Sequence, residues 1–332
     1  MRPFQFARAE DVTAAIAAYD AGSAYLAGGT TLLDLMKLDV MQPARVIDIN
    51  RLRARPLRDI TLDEDGLRLG AMVHMAEAAD HPGIVKHFPV LAQALTLAAS
   101  AQIRNMASLS GNVLQRTRCT YFRDTSYEAC NKRAPGSGCA AYDGINRMHA
   151  ILGTSEHCIA TYPGDFAQAL IALDAEVTVQ GPAGMRTLPF SALHRQPGET
   201  PHIETTLAPG ELITAFRVPA TPFAARSLYL KIRDRESYEF ALASAAVALD
   251  LDGTTVRQAR IALGGVATVP WRAREAEVRL AGQTIDAAAA NAAAEAAFAV
   301  ARPRAHNAFK VELGKRTLAR ALLQAAAMEI PT

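Results

Sequence analysis

A strand signal, a glycine pair and a helix signal follow one another without a gap in LAGGTTLLDLMK (26–37). Glycines without a Cβ let the chain turn sharply and bring backbone N–H groups close to an anion. Thr30 and Thr31 add two hydroxyl donors at the same place. The pattern is neither a Walker A loop nor GxGxxG, so neither of those phosphate-binding folds is supported. Taken alone, it reads as a tight strand-to-helix turn.

Its flanks place it in a small β-α-β unit. Residues 10–21 have helical apolar spacing with Asp11 or an earlier polar residue as a cap, 23–29 read as a short strand, and 31–40 are helical again until Pro43. RVIDIN (45–50) alternates like a strand, and 66–75 reads as another. Further on, the spacing predicts a buried helix over 89–102 and a helix followed by a strand over 165–181. Two strands joined by a charged turn are expected over 222–252, and a third over 258–267. From 273 onward the chain is Ala-rich and helical, broken near Pro303. A domain boundary is expected near 220, in VPATP (218–222).

A chain of 332 residues, half of them apolar, is long enough for two or three domains with sizeable cores. A formal charge of +2 gives no argument for nucleic acid or an anionic membrane. No apolar run is long enough to span a bilayer, and the first twenty residues lack a charged-then-apolar export pattern. By itself the chain reads as cytoplasmic.

All four cysteines fall within 119–158, spaced C-x10-C-x8-C-x18-C. Four in a chain this long are not a disulfide scaffold. A zinc knuckle or a redox pair would prefer C-x2-C, which is missing. The segment is rich in Gly, Pro, Asn, Ser and Arg and makes a poor core. Cys119, Cys130, Cys139 and Cys158 therefore fit a four-thiolate site, and the long irregular spacing suits an iron–sulfur cluster in a wrapped loop. Zinc, disulfides and unligated thiols stay open at this point. Arg116, Arg118, Arg123, Lys132 and Arg133 surround the first two cysteines. They would stabilise an anionic cluster, or form a solvated basic loop or a partner-binding surface. His149 and His157 lie nearby, and each reads as a hydrogen-bonding or surface residue before it reads as a ligand.

Other candidates are weaker. SLSGN (108–112) is a turn, or a second wall against the same ligand as the glycine pair. Asp165 precedes a helix and reads first as its N-cap, a role compatible with accepting a ligand hydroxyl. Lys231 lies near Arg233 and Arg235 and reads as a charged strand end. LGGVA (263–267) has apolar neighbours and no following cap, so it marks close backbone packing.

AGGTTLL, SLSGNVLQ, GDFAQALIALDA and YLKIRDR, in this order, resemble the FAD-binding medium subunit of the molybdenum hydroxylases (the xanthine dehydrogenase family) over essentially the whole chain. QRTRCTYFRDTSYEACNKRAPGSGCAA narrows the resemblance to bacterial periplasmic-type aldehyde oxidoreductases, whose medium subunit holds a 4Fe-4S cluster beside FAD. The resemblance implies an α+β fold. A two-part FAD-binding domain of the vanillyl-alcohol oxidase (PCMH) type would cover 1–220, divided near 55, with the iron–sulfur loop at 116–158. A C-terminal domain over 221–332 would pair a three-stranded antiparallel sheet with a helical bundle.

The resemblance also implies roles. Leu26, Ala27, Gly28, Gly29, Thr30, Thr31 and Leu32 would wrap the FAD pyrophosphate. Ser108, Ser110, Gly111 and Asn112 would form the second wall, where Ser110-Gly111 stands in place of the family's usual second glycine pair. Ile159 would lie on the adenine side, Asp165 at the ribose or phosphate, and Lys231 on the flavin side. The four cysteines would ligate the cluster. No residue of this chain is expected to be catalytic in substrate oxidation.

The implied function is electron transfer within a heterotrimer or its dimer. A large molybdenum-cofactor subunit would oxidise the aldehyde, and a small subunit would carry 2Fe-2S clusters. Electrons would reach FAD here and leave to an external acceptor. Neither nucleic acid nor membrane insertion is expected. Export to the periplasm on a signal-bearing small subunit, or a cytoplasmic location, would both suit. Alternatives are a medium subunit like that of hydroxybenzoyl-CoA reductase or another molybdenum hydroxylase, a free-standing flavin oxidase, and a zinc-stapled interaction subunit without redox activity.

Overall fold

Parallel strands cannot be joined by tight turns, so the amino-terminal unit interleaves helices. A computed structural model describes residues 1–52 and 55–330. It begins with β1 (Gln5–Arg8), α1 (Val12–Ala17), β2 (Ser23–Leu26), α2 (Leu32–Lys37) and β3 (Arg45–Asp48). The strands pair in parallel, in the order β1-β3-β2. Asp11 caps α1 as expected, accepting the Ala14 amide at 2.7 Å. Such a cap is worth ~1 kcal/mol. Because β2 ends at Leu26, the glycine loop leaves from the carboxyl edge of this sheet, where open parallel sheets bind ligands. The division expected near 55 falls beside residues 53 and 54, which lie outside the described residues.

The middle of the chain forms a five-stranded antiparallel sheet, β4-β5-β8-β6-β7. Its strands are β4 (Ile60–Asp63), β5 (Gly66–Gly70), β6 (Glu176–Gly181), β7 (Gly184–Pro189) and β8 (Leu212–Pro219). Between β5 and β6 come short helices: α3 (Met75–Asp80), α4 (Pro82–His87), α5 (Pro89–Thr96), α6 (Ala101–Arg104), α7 (Leu109–Val113), α8 (Thr120–Arg123) and α9 (Phe166–Ala172). Two sequence expectations shorten here. The strand expected over 66–75 stops at Gly70, because Glu77 reaches back to the His74 amide at 3.0 Å and starts α3. The helix expected over 89–102 is two helices, because Ala99 adopts φ 50° and Ser100 caps α6 by accepting the Ile103 amide.

The carboxyl part contains β9 (Ser227–Ile232), β10 (Ala243–Asp252), β11 (Thr255–Gly264) and β12 (Trp271–Arg272), then α10 (Arg274–Leu280), α11 (Ala287–Phe298) and α12 (Phe309–Ala326). The sheet order is β12-β11-β10-β9, so the three long antiparallel strands carry a two-residue fourth at the edge of β11. The helical break near Pro303 lies between α11 and α12. Strand β10 lacks polar alternation in its first half because both its faces are covered. Ala246 and Ala248 pack into the core shared with the five-stranded sheet, while Ala245, Val247 and Leu249 face α10–α12. Alanine on the first face lets the two cores approach closely. Among the described residues, no helix is long and apolar enough to cross a membrane.

Candidate functional site

The loop after β2 and the turn into α7 meet wall to wall. A Cβ on Gly28 would lie 1.9 Å from the Met106 carbonyl oxygen, so only glycine fits there. Gly29 turns the chain with φ 75°, a conformation that side chains disfavour. Ser108 caps α7, accepting the Gly111 amide at 3.1 Å, and Ser110 Oγ lies 3.4 Å from Ser108 Oγ. Two adjoining cavities of about 330 and 230 Å³ open along this seam and share Thr30, Thr31 and Gly111. The larger is lined by Ala27–Leu32 together with Ser108, Ser110 and Gly111, and the smaller by Asn112, Asp165 and Lys231. Together they form an elongated cleft suited to a ligand with two ends. Asn112 and Arg118 line the smaller cavity, and among the described residues Asn112 Oδ1 and Arg118 Nε are buried without a partner. An orphan acceptor and an orphan donor in one cavity fit a polar ligand.

Two expected residues sit outside the lining. Leu26 ends β2, where its carbonyl accepts the Ile49 amide. Ile159 is fully buried with Tyr121 and Ala141 in the thiol segment, away from both cavities.

Asp165 takes the N-cap position of α9, yet its side chain makes no capping bond. Its carboxylate instead accepts Lys231 Nζ at 2.8 Å and the Tyr229 hydroxyl at 2.6 Å. The pair is buried, with side chains 1% and 5% exposed. Lys231 is therefore not a solvated strand end. It also donates to the Leu97 carbonyl at 3.1 Å and joins the smaller cavity to the carboxyl sheet. Burial, and then the Asp165 carboxylate, push the Tyr229 phenol well above its usual range, so it stays a donor. Tyr229 was not foreseen. It lies two residues before Lys231 on β9, so it shares that strand face, and the period-2 rule would have found it.

The four thiols line one small cavity. Cys119 precedes α8, Cys130 and Cys139 face each other in an isolated antiparallel bridge, and Cys158 closes a turn with Ser155. All four are free thiols. Burial pushes Cys119 up to about 12 and Cys158 up to about 11, and it raises Cys139 too. Among the described residues, no group of three or more His, Cys, Asp or Glu side chains is arranged ready to hold a metal ion. The donor set converges on one place and has soft chemistry, but it is not closed around an ion.

The basic residues of this segment are not a solvated loop. Arg116 and Lys132 bond the partly buried Glu204 at 2.8 and 3.2 Å. Arg118 and Arg123 bond Asp34 of α2 at 3.1 and 2.9 Å. Arg133 caps the carbonyls of Tyr121 and Phe122. Asp34 and Glu204 had no local sequence signal, being far from the cysteines along the chain. His149 Nε2 lies 3.1 Å from Cys119 Sγ, the hydrogen-bonding role expected of it. LGGVA packs closely, as expected: a Cβ on Gly264 would come within 2.6 Å of Gln168 and Ser244.

A family profile described as the FAD binding domain in molybdopterin dehydrogenase matches residues 2–221. The chain belongs to the FAD-binding medium subunits of the molybdenum hydroxylases. A second profile, the CO dehydrogenase flavoprotein C-terminal domain, matches residues 228–325 of this medium subunit. It is 47% identical over 307 residues to the aldehyde oxidoreductase FAD-binding subunit PaoB of Escherichia coli (strain K12), covering 92% of each chain. It is 29% identical over 279 residues to the carbon monoxide dehydrogenase medium chain of Hydrogenophaga pseudoflava, covering 84% of this chain and 79% of that one. A solved carbon monoxide dehydrogenase from Hydrogenophaga pseudoflava, lacking the Mo-pyranopterin moiety, superposes with TM-score 0.75 and 29% identity over 98% of each chain. A reconstituted CO dehydrogenase from Oligotropha carboxidovorans gives TM-score 0.77 at 22% identity over 99% of each chain, a likeness of fold alone. The medium subunit thus has the expected α+β architecture of its family.

Proposed function

We propose that this medium subunit is the FAD- and 4Fe-4S-binding electron-transfer component of a molybdenum-dependent aldehyde oxidoreductase. It would stand between a partner's 2Fe-2S clusters and an external electron acceptor. The aldehyde assignment is supported by likeness to PaoB. The partners would be a large molybdenum-cofactor subunit and a small 2Fe-2S subunit, a reading supported by membership of a family of multi-subunit molybdenum enzymes. The FAD-binding part would be 1–220 and the carboxyl-terminal part 221–332.

The observation that carries the cofactor reading is a convergence. The cleft wall at Gly111, Asn112, Gln115 and Arg118 runs directly into the thiol cavity at Cys119, and Asp34 behind the glycine loop grips the arginines on either side of that cysteine. Gly28, Gly29, Thr30 and Thr31 would present backbone N–H and hydroxyl groups to the pyrophosphate. Ser110, Gly111 and Asn112 would close the opposite wall. Asp165, fixed by Lys231 and Tyr229, would accept a ligand hydroxyl, and Lys231 would hold positive charge toward the flavin end. Bound FAD supplies a centre that can take up two electrons and release them singly. Cys119, Cys130, Cys139 and Cys158 would hold the cluster. Buried thiols are costly to ionise alone, and a metal centre supplies the compensating charge.

A visible spectrum of the purified chain, with iron, sulfide and zinc analysis, tests this reading. Flavin bands with iron and acid-labile sulfide are expected. Colourless protein with stoichiometric zinc would establish the non-redox interaction subunit instead. Aldehyde turnover in the assembled complex, lost when the molybdenum subunit is omitted, tests the assignment to the complex.

A further inference from the structure

The thiol segment contains a contact that cofactor ligation by itself does not require. His149 Nε2 lies 3.1 Å from Cys119 Sγ. The other ring nitrogen, Nδ1, is buried and has no partner among the described residues. The residue is 4% exposed and is held from both sides. Its amide donates to the Asn146 carbonyl at 3.0 Å, and its carbonyl accepts Asn307 Nδ2 at 3.3 Å. Asn307 is fully buried in the turn just before the final helix, so the approach to that helix fixes the placement of this residue.

Two proton arrangements satisfy an N···S contact of this length. A free thiol can donate S–H to a bare Nε2. A ligating thiolate has no proton to give, so the contact then survives only with hydrogen on Nε2 and the sulfur as acceptor. An N–H···S bond draws charge from the sulfur and favours the more negative, reduced state of the centre it ligates. The other donors to the cysteine sulfurs are backbone amides, such as that of Ala160, 3.4 Å from Cys158 Sγ, and those of Phe122 and Tyr121 at Cys119. Among the described residues, Cys119 is thus the thiol that meets an imidazole.

We infer that His149 is a positioning residue for Cys119, its Nε2–H donating to the ligand sulfur and raising the reduction potential of the centre that the four thiols hold. This inference rests on the iron–sulfur reading above. Its test is a redox titration, followed by EPR, of the full chain in its complex. His149→Phe keeps a ring and removes the donor, and His149→Gln keeps an N–H. The Phe variant should have a lower potential, its reduced fraction at a fixed ambient potential falling severalfold, with the Gln variant between it and wild type. An unchanged potential in the Phe variant, with iron and sulfide content intact, overturns the inference. Should that variant fail to hold iron, the wild-type protein decides. Pulsed EPR of protein labelled with ¹⁵N-histidine must show a histidine nitrogen coupled to the reduced centre, and its absence overturns the inference as well. A wild-type protein without iron and sulfide is a distinct result, because it removes the iron–sulfur reading and this inference with it.

Discussion

The Asp34 carboxylate, in the first turn of the helix behind the glycine loop, holds the Arg123 guanidinium at 2.9 Å, four residues beyond Cys119. The same carboxylate takes Arg118 at 3.1 Å, on the other side of that cysteine. One acid therefore ties the proposed phosphate-binding loop to the thiol segment. Asp34→Asn should cost about 1 kcal/mol of stability, since both pairs are partly exposed. It should also weaken FAD retention severalfold. Equilibrium dialysis of FAD and denaturant unfolding measure both, and wild-type values in each would refute the link.

Gly28 is the tightest point between the two walls of the cleft. Gly28→Ala sets a Cβ against the Met106 carbonyl, a backbone atom that cannot move alone, and should cost roughly 2–3 kcal/mol and most of the bound FAD. Gly111→Ala, whose Cβ would lie 3.0 Å from the Ser108 hydroxyl, should cost less. Denaturant midpoints and flavin content of the two variants would expose the error if their order were reversed.

Removing one member of a buried ion pair strands the other. Lys231→Met leaves the Asp165 carboxylate with only the Tyr229 hydroxyl and should destabilise the protein by about 3–5 kcal/mol. The double variant Lys231→Met, Asp165→Asn should recover part of that loss, because no bare charge remains. A double-mutant cycle by urea unfolding measures the recovery, and strict additivity would contradict it.

Lys310 is fully buried and donates to the Gly265 carbonyl at 2.7 Å. Burial, reinforced by the Arg147 charge, pushes it down to about 7 from an ordinary 10.5. Between those values the unfolded chain carries the proton and the folded chain does not. Stability should be fully present above pH 10.5 and fall by a few kcal/mol as pH drops toward 7. Lys310→Met should flatten that slope in urea titrations across this range. An unchanged slope would show that Lys310 does not titrate with folding.

The local readings that held are those with short-range causes. Asp11 caps its helix because a carboxylate three residues before an amide needs nothing from the rest of the chain. The glycine pair turns where it was expected, since Gly29 alone supplies the positive φ. The alternation in β9 was legible, but its consequence, Tyr229 and Lys231 on one face, needed Asp165 to arrive from another element. The helix over 89–102 was misread as continuous because Ala99 shows no sign of φ 50° in its side chain.

By itself the sequence determined the family, the glycine loop and the gathering of every thiol into one segment, because these depend on residue type and order. Only the tertiary structure decided that Arg118 and Arg123 close on Asp34, that Glu204 gathers Arg116 and Lys132, and that His149 meets Cys119. The reason is physical. Each charged or polar group, once buried, must find a partner, and packing rather than proximity along the chain determines which partner is within reach.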